Sequence, residues 1–142
     1  MLKTIIEASE NFCIHQIAEP HDINDEISKK RTLIAHIDIE AQAGTKHRVY
    51  IGSEVDFIQK VAKLFLEEDE SDEETLIDML LETVNLIVGS AKVIAEDTND
   101  NQFTISTPNF LKASVFDFEY DEVKSLNIKD DKMIIAIKEI NG

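Results

Sequence analysis

The feature that most constrains the fold of this 142-residue chain is a long helical pattern from Glu73 to about Ala95. When successive residues are placed about 100° apart, apolar side chains occupy roughly 220° of its circumference, from Leu86 round to Leu81. A helix with so wide an apolar arc must be largely buried against other elements. The arc that remains is narrow, so the sequence predicts one solvent-exposed stripe on an otherwise hidden helix.

The stripe consists of Asp78, Glu82, Asn85 and Gly89, at spacings of four, three and four. These positions lie within roughly 60° of one another around the helix axis. A buried helix does not need an acid, an amide and a glycine on its one exposed strip in order to fold. We therefore interpret the stripe as a docking or reacting surface.

Helical and alternating patterns follow one another along the chain with short connections. A first helix is predicted from Leu2 to about Ile17, and a second ends at about Leu66. Ser53 and Ser71 each stand three residues before an acid, which predicts that they cap the second and third helices. Strands are predicted at Leu33–Ile39, His47–Ile51, Phe103–Ser106, Ala113–Tyr120, Val123–Ile128 and Met133–Ile140.

The stretch from Pro20 to Arg31 and residues 98–101 are predicted as connections. No low-complexity linker divides the chain, so residues 1–142 are expected to form a single domain. Its predicted class is α/β, in the α+β sense, with helices packed on one face of a largely antiparallel sheet.

Composition excludes several function classes. A formal charge of −15 and a pI near 4.5 argue against nucleic acid and against anionic membrane surfaces as partners. No stretch has the eighteen or so apolar residues of a membrane span, and the N-terminus lacks a signal-peptide pattern, so a cytoplasmic protein is expected. Cys13 is expected to be a buried apolar side chain, and the four scattered histidines give no zinc spacing.

The acidic run at residues 67–74 is interpreted most simply as a solvated connection whose last acids favour a helix N-terminus. A surface for a basic partner and a divalent cation site are alternatives. The run lacks the glycine and the alternate-ligand spacing of a calcium loop.

Asp78, Glu82 and Asn85, followed after twenty-two intervening residues by Pro108, carry a family resemblance. They match the pattern [DS]-x3-E-x2-N-x22-P, the signature of the CheC and CheX family of bacterial chemotaxis phosphatases. A bare E-x-x-N is common in helices, whereas four positions at fixed offsets on a helix of this amphipathicity are fairly specific. The chain is similar to this family, which implies a CheC-like fold.

A weaker copy of the motif occurs in the first helix. Thr4, Ala8 and Asn11 repeat the spacing, His15 takes the glycine position, and Ile34 stands where the second copy has proline. Asn11 taken alone is also an ordinary surface amide. The echo favours the CheX-like members, which carry one working motif.

The resemblance implies hydrolysis of the aspartyl phosphate on a CheY-type response regulator. Asn85 would hold the attacking water and Glu82 would pair with the lysine of the regulator's active site, with Glu82 as general base a less favoured alternative. The chain itself would bind no cofactor and no metal, because the regulator supplies Mg²⁺.

Supporting roles are expected for the remaining residues of the stripe and for the proline. Asp78 would contact the partner or orient Asn85, and Pro108 would be a rigid stop after a strand. Gly89 would admit either the partner or another helix of the same domain. A homodimer paired through its sheets is also implied, with an exposed edge expected in the tail from Ala113 to Ile140. The alternative function is a non-catalytic CheC-like module that binds a response regulator or the flagellar switch.

Overall fold

The computed structural model of the protein describes residues 2–98 and 102–140. Within them lie the α-helices α1 (Leu2–Phe12), α2 (Val55–Leu66) and α3 (Glu73–Thr98), and α1 continues into a π-helical segment, Cys13–Ile17. The strands are β1 (Asp22–Asn24), β2 (Thr32–Ala41), β3 (Lys46–Glu54), β4 (Phe103–Ile105), β5 (Asn109–Ser114), β6 (Glu122–Ile128) and β7 (Asp131–Glu139).

The strands form one mixed-order sheet in which every described pairing is antiparallel. The order is β1-β6-β7-β3-β2-β4, and β5 pairs with β2 on the same side as β4. The helices pack on one face of this sheet, so the predicted fold class is confirmed. The expected position of the exposed edge is only partly right, because β6 and β7 are interior strands, and the edges of the sheet are β1 on one side and β4 and β5 on the other.

The main core lies between the sheet and the helices, as the alternating strands require. Leu33, Ala35, Ile37 and Ile39 point from β2 to the helix side and are almost fully buried. A fully buried leucine or isoleucine side chain contributes about 1.5–3 kcal/mol. Because α3 supplies a long apolar surface to this core, its orientation about its own axis is fixed.

The opposite face of the sheet is covered by the chain itself. Phe116 and Phe118, which follow β5, pack against Tyr50, and the Tyr50 and Phe118 rings stack with centroids 4.7 Å apart. Gly52 makes room for this packing, since a Cβ added there would lie 3.1 Å from Phe116 Cδ2. The segment 115–120 that carries both phenylalanines therefore forms a cover over the outer face.

The predicted strand Ala113–Tyr120 is wrong in position. The strand is β5, which ends at Ser114, and residues 115–120 have no strand pairing. The alternating phenylalanines that suggested a strand instead lie across the sheet. Alternation of apolar and polar residues does not distinguish these two arrangements, because in both of them one side of the chain is buried.

Both predicted serine caps are also wrong. Ser53 remains in β3, paired with Leu33 and Met133, and its hydroxyl donates to the carbonyl of Glu54. The residue that caps α3 is Asp72, whose Oδ1 accepts the N–H of Thr75 at 2.8 Å. An aspartate one position nearer the helix than a serine is as good a cap, and the pattern alone did not separate them.

The remaining differences are small. The predicted connection at residues 20–31 contains the short strand β1, and α3 extends to Thr98, three residues past its predicted end. The predicted loop 98–101 falls mostly on residues 99–101, outside the described residues. Among the described residues, none of the helices combines the length and the apolar character needed to cross a bilayer.

Candidate functional site

Helix α3 presents the predicted stripe at the surface. Its buried positions pack against α1, α2 and the sheet, and they include Leu80, Val84, Ile87 and Val88, each at most 1% exposed. On the opposite side of the helix, the side chains of Asp78, Glu82 and Asn85 are exposed and Gly89 is half-buried. The amphipathic pattern therefore places the motif residues where another molecule can reach them.

The exposed side of α3 is wider than predicted. Leu86, which begins the predicted buried arc, is 40% exposed, and Val93 is 54% exposed. Ser90 is exposed as well. Ideal helical periodicity identifies apolar side chains but not which of them a neighbouring element covers, so the stripe is not the only exposed part of this helix.

The motif side chains have no partners in the fold. Within residues 2–98 and 102–140, no hydrogen bond or ion pair involves the side chains of Asp78, Glu82 or Asn85. In particular, Asp78 does not hold the amide of Asn85 by a hydrogen bond. A carboxylate and a carboxamide that the fold leaves free are available to a visiting molecule.

Gly89 faces open space. Apart from the adjoining backbone of α3, no atom of the described residues would lie within 4 Å of a Cβ added at this position. No other described helix therefore needs the glycine in order to pack, and the interpretation of Gly89 as a site of internal helix packing has no contact to support it.

Pro108 is buried in the connection between β4 and β5. Both strands pair with β2, and just before the proline the N–H of Ser106 donates to the carbonyl of Asp38 at 2.9 Å. Proline has no N–H to donate to a ladder and has a fixed φ, which suits a break between two short strands. The burial of Pro108 and its position between two strands support a structural role for this residue.

A groove beside the stripe brings α1 and α3 together. Its volume is about 480 Å³, and its lining includes Glu82 and Leu86 of α3 together with Asn11 and His15 from the first helix. The weaker copy of the motif thus lies across a groove from the intact copy. Within that copy Ala8 is buried, Thr4 and Asn11 are half-buried and His15 is exposed, and Thr4 does not line the groove.

Sequence reasoning missed Leu86 and Ser90 as accessible residues. The spacing at intervals of four shows that Glu82, Leu86 and Ser90 form a row along one side of the helix, but it does not indicate that this row is accessible. This row and the stripe share Glu82, and beyond Glu82 the row continues through Leu86 and Ser90 instead of Asn85 and Gly89.

The described residues hold no cluster of three or more histidine, cysteine, aspartate or glutamate side chains that could bind a metal ion. The expectation for Cys13 is confirmed: it is fully buried, and burial, followed by the nearby charge of Glu10, raises the pKa of its thiol to about 11. A thiol with so high a pKa is a poor nucleophile near neutral pH.

Comparison with solved structures gives the same fold over nearly the whole chain. The chemotaxis protein CheX from Vibrio vulnificus superimposes with a TM-score of 0.77, covering 98% of each chain at 15% sequence identity. A CheC-like protein from Shewanella sp. PV-4 gives 0.74, covering 99% of this chain and 97% of that one at 17% identity. CheX in the CheX–CheY–BeF3–Mg²⁺ complex from Borrelia burgdorferi gives 0.68, covering 97% of each chain at 14% identity.

No curated protein sequence matches the chain. A family model does: residues 34–129 match the model described as chemotaxis phosphatase CheX, which is about two thirds of the chain and includes α3 and Pro108. On this match, and with the motif exposed on α3, the chain belongs to the CheX family of chemotaxis phosphatases.

Proposed function

We propose that this protein hydrolyses the aspartyl phosphate of a CheY-type response regulator and so ends the chemotaxis signal. The observation that carries the proposal is the carboxamide of Asn85, exposed and without a partner among the described residues. Membership of a family of chemotaxis phosphatases supports it.

The chemistry suits an exposed amide. An aspartyl phosphate is a mixed anhydride that water attacks in line, through a loose transition state that needs little covalent help. What a second protein can add is a water held in the attacking position, and orientation of this kind lowers a barrier substantially. A carboxamide does not take up a proton near neutral pH, so its carbonyl oxygen can accept a hydrogen bond from the water throughout.

Glu82 is proposed to dock the regulator. Its carboxylate has no partner among the described residues and lies one turn before Asn85, where a lysine beside the phosphorylated aspartate can reach it. The ion pair would fix the distance between the amide and the phosphorus atom. Glu82 acting as general base is the less favoured alternative, since orientation alone is sufficient for an acyl phosphate.

The metal in this reaction belongs to the partner. The related CheX from Borrelia burgdorferi has been crystallised with CheY, BeF3 and Mg²⁺, which is the combination expected when the regulator carries the phosphoryl group and its cation. In our proposal Mg²⁺ on the regulator neutralises the phosphoryl oxygens. Asn85 orients the attacking water and Glu82 docks the regulator. Asp78 and Gly89 contact the rim of the partner.

A homodimer and a cytoplasmic location complete the proposal. The unpaired edge of β5 can pair with a second copy, whereas the outer face of the sheet is already covered by residues 115–120. Response regulators are phosphorylated in the cytoplasm, so the enzyme is placed there with its substrate.

The test follows phosphate loss from a panel of purified phosphorylated response regulators, with and without the protein. We expect faster loss from at least one regulator, proportional to the amount of protein added. Tight binding with no acceleration for any regulator of the panel would contradict the proposal and favour the non-catalytic module.

A further inference from the structure

We propose that the groove between α1 and α3 is a specificity pocket that receives a bulky apolar side chain of the response regulator. This inference rests on the proposed function and extends it, because it concerns which regulators bind rather than how phosphate is hydrolysed.

The two walls of the groove follow helical spacing. On α3 the wall is the row Glu82, Leu86 and Ser90, and on α1 it is formed around Asn11 and Phe12. Leu86 is 40% exposed although it is a leucine on a helix that supplies a long apolar surface to the core. Because Ser90 is small and no described residue fills the groove, the space beside Leu86 stays open.

Part of the groove lining is apolar. Phe65 of α2 also lines it, is 36% exposed and meets Phe12 edge to face, with ring centroids 6.2 Å apart. Leu86, Phe65 and Phe12 thus offer a site for an aliphatic or aromatic side chain. Covering exposed apolar surface of this kind contributes about 25 cal/mol for each Å² removed from water.

The charge of Glu82 connects the groove with the regulator. Glu82 belongs to both the stripe and the groove wall, so a lysine paired with Glu82 lies beside the groove. A partner segment that carries a bulky apolar residue close to that lysine would contact Glu82 and place the apolar side chain against Leu86, Phe65 and Phe12.

The groove also separates binding from catalysis in a measurable way. Asn85 is not among the residues that line it. A change confined to the groove wall should therefore alter the affinity for the regulator and leave the turnover of bound regulator unchanged.

The test compares three variants in which the net charge is unchanged. Leu86→Gln removes the apolar wall, Ser90→Trp fills the space, and Leu64→Gln is the matched control, being the same change at a leucine on α2 that is 47% exposed and outside the groove. Binding is measured with the regulator held as its BeF3–Mg²⁺ complex, and kcat and KM are measured with the phosphorylated regulator.

We expect Leu86→Gln and Ser90→Trp to raise Kd and KM by about 10-fold or more, the usual effect of one mismatched side chain in an apolar pocket, with kcat unchanged. Leu64→Gln should change neither. Thermal unfolding of each variant confirms that the fold is intact, as expected for substitutions at exposed positions.

Values of Kd and KM within twofold of the parent for both groove variants would overturn the pocket while leaving the phosphatase intact. So would a fall in kcat at constant KM. If the parent protein itself fails to accelerate phosphate loss, the proposed function fails instead, and binding to the BeF3 complex still reports whether the groove is used.

Discussion

Asn85 and Glu82 illustrate how two polar side chains three residues apart can have separate tasks. Both are exposed on α3, and neither has a partner among the described residues. The amide is suited to holding water because it does not ionise, and the carboxylate is suited to a cation because it is charged. Their proposed roles follow from the chemistry of the two side chains, and the fold contributes mainly by leaving both side chains exposed and without partners among the described residues.

Reversal of the charge at Glu82 should weaken docking. Glu82→Lys would place two cations together at the proposed lysine contact, so we expect a large rise in Kd for the regulator as its BeF3 complex. Asp97→Lys is the control, since it changes the net charge equally at another exposed acid of α3. Equal affinities of the two variants would remove the ion pair from the account.

Gly89 allows a test in which stability and binding move in opposite directions. A Cβ there meets open space, so Gly89→Ala should stabilise the helix by up to about 1 kcal/mol. Gly89→Phe should instead raise Kd for the regulator, because a bulky side chain keeps the partner away. Denaturant unfolding and titration check the two effects, and unchanged binding by Gly89→Phe would show that the partner does not approach here.

At the scale of single elements, the N-terminus of α3 depends on Asp72. Hydrogen bonding by Thr75, first through its side chain and then through its N–H, lowers the pKa of the Asp72 carboxyl, so the contribution of the cap is present above the unfolded-state pKa and is lost as pH falls through the folded-state value. Asp72→Ala should lower the melting temperature relative to the parent at neutral pH, and the two melting temperatures should converge in acid. Ser71→Ala should have almost no effect, since its hydroxyl contacts only the exposed Glu68. A larger loss at Ser71 would contradict the assigned cap.

The long elements were predictable from the sequence, and the reason is their period. The apolar repeat of α3 and the alternation in β2 each extend over enough residues to exclude the other structure. Shorter signals were ambiguous: Ser71 and Asp72 are both good caps, and the alternation around Phe116 belongs to a cover rather than to a strand. These cases are decided by contacts distant in sequence, such as the packing of Phe116 against Gly52.

Part of the candidate site was predictable from the sequence and part was not. The spacing of Asp78, Glu82, Asn85 and Gly89 predicted one accessible stripe because all four depend on a single helical period. Exposure of Leu86 could not be predicted, since it depends on how closely α1 and Phe65 of α2 approach α3. The groove forms only where three helices pack together, so a local sequence pattern cannot predict it.

At the scale of the whole molecule, the two faces of the sheet have different uses. The helix face carries the stripe and the groove, and the outer face is closed by residues 115–120 with Phe116 only 5% exposed. A regulator docking on α3 and a second copy pairing along β5 would therefore use different surfaces. Catalysis and dimerisation can coexist in such an arrangement.

Removal of the outer cover should affect stability alone. Phe116→Ala deletes a buried aromatic ring and should lower the free energy of unfolding by about 3 kcal/mol. Because the helix face is on the other side of the sheet, kcat of the folded variant should stay near the parent value. Val115→Ala, at a neighbouring exposed position, is the control. A selective fall in kcat at full folding would contradict the separation of the two faces.

The proposed hydrolysis depends on the amide of Asn85, and single-turnover dephosphorylation at saturating protein measures the contribution of this amide. The comparison is between Asn85→Ala and Asn11→Ala, the same change in the weaker copy of the motif. We predict that Asn85→Ala still binds the BeF3 complex but loses the acceleration of phosphate release, whereas Asn11→Ala at saturation retains it. Full acceleration by Asn85→Ala would contradict the account.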